Sequence, residues 1–182
     1  MATFTQRMLG AAKLDAATYE EVEADTTAIG QAMTVVILSA LAAGLGAFHT
    51  GARGMIAVTV ASLIGWLVWA WLAWFVGTKI LPTAQTQSDM GELLRTVGFS
   101  ASPGILRIFR FVPVFGVLID AVASIWMLFS MVVAVRQALD FTSTWRAVAV
   151  CLVGWLIYIA LFMAVGMVLG LGSALMGRGG GG

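Results

Sequence analysis

Three charged side chains fall inside the long apolar stretches of this chain: Arg107, Arg110 and Asp120. Such groups are costly at membrane depth and mark function by default. One carboxylate with two guanidinium groups offers an ion pair, a proton or cation path, or, for the arginines, a grip on anionic lipid headgroups. The plainer assignment puts Asp120 at the tip of a hairpin in the headgroup layer, with both arginines snorkelling to the opposite interface. The single histidine, His49, lies in "FHTGARG" just after an apolar run and is a weak candidate for an axial cofactor ligand. A lone histidine there more often ends a helix, so no cofactor is expected. One cysteine, Cys151, excludes an intrachain disulfide and any multi-cysteine metal site. Carboxylates recur at helical spacing near the N-terminus, Glu21 with Asp25 and Glu20 with Glu23. Cation binding needs such oxygens, but a solvated acidic helix start is the simpler account, and no metal site is expected. An enzyme needs convergent acids, bases or nucleophiles. None converge here, so no catalytic site is expected.

The elements that position these residues must be membrane helices. Of 182 residues, 60% are hydrophobic and only 10% charged, against about 25% charged in a soluble domain. Mean hydropathy is +0.98. Ten Lys/Arg, nine Asp/Glu and one His cannot clothe the surface of a soluble protein this small. A formal net charge of +1 gives no field for nucleic acid, which is excluded as a partner.

A bilayer core of roughly 30 Å takes about 20 apolar residues in a helix. Runs at 28–48, 55–77 and 147–171 meet this length. Residues 103–135 hold either one span or a short hairpin, and the distribution of Lys and Arg decides between them. Five spans with the N-terminus inside put Arg7, Lys13, Lys79, Arg95, Arg107, Arg110, Arg136 and Arg146 on the inner side. Arg53 and Arg178 are then left outside. The predicted fold is all-α: a polytopic bundle of five transmembrane helices, 28–48, 55–77, 103–116, 118–135 and 147–171, in a membrane domain 28–172. The third and fourth helices form a short hairpin, kinked at Pro113.

Outside the bilayer, residues 1–27 form a polar cytoplasmic segment, with a helix starting near Thr18 from its capping-box spacing to Glu21. Asp89 and Glu92 repeat that spacing, and Met90, Leu93, Leu94 and Val97 follow as an apolar stripe. This predicts an amphipathic interfacial helix at 89–97, lying on the membrane with Glu92 and Arg95 outward and Gly98 as its stop. Residues 173–182 read as a flexible Gly-rich tail. Small residues four apart, at Ser39/Ala43, Ala40/Gly44, Ala61/Gly65 and Gly166/Gly170/Ala174, allow close helix approach. The Gly166, Gly170, Ala174 face is the nominated contact for another protein. Trp71 and Trp74 fit an interfacial belt, and Trp66 and Trp69 fit packing at greater depth.

The run from Glu92, "ELLRTVGFSASPGILRIFRFVPVFGVLID", resembles the central signature of the Yip domain family, the Ypt/Rab-interacting integral membrane proteins, in its prokaryotic branch. The matching features are a short amphipathic entry, Gly98–Phe99, Pro103, and Pro113 with Gly116. "TWRAVAVCLVGW" from Thr144 is similar too, so the likeness runs from Phe4 to Leu171. The resemblance implies a five-span membrane protein. Eukaryotic relatives associate with Rab-type GTPases and shape ER and Golgi membranes. Their long cytosolic N-terminal region is abbreviated here to 27 residues, so GTPase binding does not carry over.

The expected role is a non-enzymatic accessory or membrane-organising component of a prokaryotic cytoplasmic (inner) membrane. Its expected partners are membrane lipids and another membrane protein or a second copy of itself. Arg107, Arg110, Asp120, Gly166, Gly170 and Ala174 are the contact candidates. The alternative is a small oligomeric pore or transporter with Asp120 and the Arg107/Arg110 pair along its path.

Overall fold

The structure, a computed structural model, describes residues 2–84, 86, 88–112 and 114–167. The regular elements among them are all helical. Four helices are long and apolar enough to cross a bilayer: Thr26–Gly46, Phe48–Ile80, Gly116–Ala138 and Thr144–Met167. In chain order the α-helices are α1 (Phe4–Ala12), α2 (Ala16–Ala24), α3 (Ile29–Gly46), α4 (Gly51–Phe75), α5 (Met90–Phe99), α6 (Gly116–Ala138) and α7, which starts at Thr144. A π turn, Val76–Ile80, prolongs α4. The tail 173–182 and the kink at Pro113 lie outside the described residues.

The N-terminal segment folds as a helix pair rather than one helix begun at Thr18. Asp15 takes the cap of α2, accepting from the Ala17 N–H at 3.3 Å and the Thr18 hydroxyl at 2.7 Å. Its carboxylate leaves Thr18 no free capping role. Arg7 of α1 is 2% exposed and holds the pair together. Its Nη2 donates to Glu21 at 2.9 Å and to Asp25 at 2.7 Å, and its Nη1 donates to Gln31 at 3.2 Å. The Glu21/Asp25 carboxylates are thus occupied by a guanidinium, which takes the place a cation would need.

Helix α5 departs from the interfacial reading. Asp89 and Glu92 do form a reciprocal capping box, but Arg95 is buried instead of facing water. Its Nε donates to the carbonyls of Val22 at 3.1 Å and Glu23 at 3.0 Å, capping the end of α2. Leu93, Val97 and Phe99 are fully buried. The helix is therefore enclosed on two sides, by the apolar bundle beneath its stripe and by α1–α2 over its polar side. Gly98 does not stop it. A Cβ at Gly98 would fall 2.8 Å from the Ala32 Cβ, so the glycine lets α5 press onto α3.

The expected third span, 103–116, is replaced by a ten-residue 3-10 helix, Ser102–Phe111, entered through Pro103. At about 2.0 Å per residue it is roughly 20 Å long, short of a bilayer core. Its neighbours change steadily along α3. Gly104 abuts Ser39, and the Arg107 carbonyl and Arg110 side chain abut Gly46. Residues 98–111 therefore travel beside α3 in the same direction, from the N-terminal end of the bundle to the far end. Helix α6 then returns: Gly116 touches the Arg110 carbonyl, and Leu139 touches Gly77.

Small residues set the spacing of the bundle. A Cβ at Gly44 would collide with the Thr59 hydroxyl, which fixes how closely α3 and α4 lie. Trp69 Nε1 donates to the Met131 sulfur at 3.0 Å, and Trp66 Nε1 reaches the Val97 carbonyl at 3.5 Å. Both indoles tie α4 to its neighbours. Trp71 stacks on Phe75 at 5.3 Å, and Lys79 lies 5.8 Å over Trp74, at the N-terminal end of the bundle.

Candidate functional site: an ion cluster beside a membrane cavity

Three residues per turn put Arg107 and Arg110 on one line of the 3-10 helix, whereas an α-helix would rotate them apart. That line meets the first turns of α6. Arg107 Nε lies 3.4 Å and Arg110 Nη1 lies 3.8 Å from the same oxygen, Asp120 Oδ1. Arg107 Nη2 donates to the Ser124 hydroxyl at 2.9 Å, and that hydroxyl donates to the Asp120 carbonyl at 2.7 Å. Arg107 Nε is buried with no hydrogen bond among the described residues, so its approach to Asp120 is ionic only. Ser124 was not singled out from sequence, though its position one helical turn after Asp120 was the available signal.

The cluster sits at the far end of the bundle. The charge bias puts both arginines at the opposite end, with Arg7 and Arg136. They differ from that expectation because the 3-10 helix gains more length per residue than an α-helix and carries them up to Gly46. One carboxylate faces two guanidinium groups there, leaving one positive charge in excess. The other eight carboxylates of the chain, Asp15 through Asp140, lie on α1–α2, α5 and the loop after α6. Gathered at one end and paired, the three charges do not mark a path through the bundle.

Arg107 also lines a cavity of about 490 Å³ between α3, α4, α6 and α7. Its wall is largely apolar and aromatic, from Trp66, Trp69, Met127 and Met131, with Ser39, Ser62 and Tyr158 also in the lining. Ala61 and Gly65 form part of this wall. Gly65 is a point of close approach to α7, where a Cβ would fall 3.1 Å from the Tyr158 hydroxyl.

His49 lies apart from the cavity wall, exposed in a 3-10 turn, Phe48–Thr50, with its ring edge-on to Phe48 at 6.1 Å. Gly166 is exposed on α7, and a Cβ there would meet nothing within 4 Å. Gly170 and Ala174 lie outside the described residues. A second cluster forms where α2 faces the end of α6. Glu20 accepts from Gln137 Nε2 at 2.7 Å, and Glu23 and Asp140 line a cavity of about 320 Å³ with Arg136. Partial burial, then Asp140, Glu92 and Glu20, push the Glu23 carboxyl up to about 7.

A family model of the Yip1 domain matches residues 15–170. That is most of the chain, and the chain belongs to the Yip1 domain family, as an integral membrane protein. No curated protein and no solved structure matches it.

Proposed function

We propose that this Yip1-domain protein is a non-enzymatic accessory component of a prokaryotic cytoplasmic membrane, docking by helix packing against another membrane protein. One observation carries the reading. Every residue of α7 from 160 to 167 is exposed, including Leu161, Phe162, Met163, Val165 and Met167. A helix surrounded by its own chain buries at least one stripe; this eight-residue stretch buries none. Gly166, open to 4 Å, gives it a close-approach point of the kind membrane helices use to associate. The pairing of Arg107, Arg110 and Asp120 with one another supports a packing role over a reacting one.

In this reading the chain passes the bilayer five times, with α5 and the 3-10 helix together making the third passage. The N-terminus is inside. Arg7, Lys13, Lys79, Arg95, Arg136 and Arg146 all belong to the N-terminal end of the bundle, which supports that orientation.

Gentle native extraction followed by mass spectrometry tests the proposal. The chain is expected to migrate with a distinct membrane polypeptide at fixed ratio. Gly166→Ile is expected to abolish co-migration while leaving helix content unchanged. A chain that runs alone in every mild detergent, or a Gly166→Ile variant that co-migrates fully, would overturn it.

A further inference from the structure

We propose that the cavity between α3, α4, α6 and α7 binds an anionic amphiphile, with its head on Arg107 and its chain along Trp66, Trp69 and Met131. The cluster beside this cavity holds two guanidinium groups and one carboxylate, and Arg107 is its member in the cavity wall. The net positive charge at this end of the bundle attracts an anionic head brought in by the ligand.

Hydrogen bonding points the same way. Ser39, Ser62 and Tyr158 line the cavity. Among the described residues none of their hydroxyls donates to or accepts from another group. A few convergent polar groups in an otherwise apolar wall is the pattern of a ligand site, and about 490 Å³ lies within the usual range of such sites.

Shape supplies the third argument. Along α4 the wall runs from Val58 to Trp69, about 16 Å at 1.5 Å per residue. That suits an extended alkyl chain better than a compact solute. Met127 and Met131 give a surface that adapts to a flexible chain. Ala61 and Trp155 in the wall are exposed, so the cavity opens sideways toward lipid, which provides an entry route without an aqueous path.

An anionic head on an apolar chain arrives either as an acidic phospholipid or as a free fatty acid. Tryptophans in the wall make binding visible by quenching. The full-length protein in phosphatidylcholine vesicles is titrated with brominated-chain phosphatidylglycerol, brominated-chain phosphatidylcholine and a brominated fatty acid. Annular lipid quenches the exposed tryptophans whatever its head, so the readout is the excess quenching by an anionic ligand over brominated phosphatidylcholine.

Excess quenching by phosphatidylglycerol identifies a phospholipid, and excess from the fatty acid alone identifies a free acid; either supports the site. Arg107→Gln is expected to weaken the excess about tenfold, the loss of one charge-assisted hydrogen bond. Ala61→Phe fills the cavity from α4 without touching the ion cluster, and is expected to abolish the excess even if Arg107→Gln perturbs folding. No excess for either anion would overturn the proposal. So would an excess that survives Ala61→Phe, since the anion would then be held at the surface. Co-migrating polypeptides are not read in this experiment, so its outcome is independent of the docking role.

Discussion

The guanidinium of Arg95 closes the last turn of α2 by donating to the carbonyls of Val22 and Glu23. Removing it strands two acceptors in a buried place, so Arg95→Met is expected to destabilise the protein by about 2 kcal/mol. Limited proteolysis of the intact protein should then cut between α1 and α2, where the wild type resists. Glu23, beside that contact, gives a pH signature. Its carboxyl rises from 4.5 to about 7 in the folded protein, so the folded state holds more protons than the unfolded chain between those values. Stability therefore falls as pH rises through that window. Thermal unfolding in detergent from pH 5 to pH 8 is expected to show this decline, and Glu23→Gln to flatten it. A flat wild-type profile would remove Glu23 from the account. Neither role was legible in the sequence. Arg95 lies off the apolar stripe of its helix, and periodicity reports one face only. The layer that α1–α2 lay over the other face is a long-range contact that no local pattern records.

At the level of the elements, the 3-10 helix depends on close approach. A Cβ at Gly104 would meet the Ser39 hydroxyl and the Met127 sulfur, the latter at 2.9 Å. Gly104→Val should cost about 1–3 kcal/mol through overpacking, read as a lower unfolding temperature in detergent. The turn that follows is strained in the opposite sense. Val114 has φ +69, a left-handed conformation that a β-branched residue resists. It is 93% exposed, so packing gives nothing back. Val114→Gly is expected to stabilise the protein by about 1 kcal/mol, and an unfolding temperature at or below wild type would contradict this. The four long helices were legible because an apolar run of bilayer length has few other uses in a chain this poor in charge. The 3-10 helix was not. Its three-residue period competes with an α-helical reading over the same residues, and the long-range approach of Gly104 to Ser39 and Met127 leaves no local pattern.

Across the whole molecule, charge is sorted by end. The N-terminal end carries α1–α2, α5 and the α6–α7 connection, with nearly all of the carboxylates, while the far end carries Arg53 and the Arg107–Arg110–Asp120 cluster. The five-passage arrangement makes a labelling prediction in a background where Cys151 is replaced by Ala. Cysteines introduced at Ser88 and Ser143 should react from one side of the membrane, and a cysteine at Val114 from the other. Reaction at Ser88 and Val114 from one side and at Ser143 from the other would return the chain to four passages. Family membership was legible in the central motif, and the structure supplies physical roles for its members. Gly98 and Gly116 are points of backbone approach, and Pro103 opens the 3-10 helix. The docking role rests on the exposed residues 160–167 of α7, and a photo-reactive residue at Phe162 tests it most directly. On illumination in native membranes, a discrete adduct with another membrane polypeptide is expected, lost when Gly166→Ile is added. Adducts with lipid alone would contradict it.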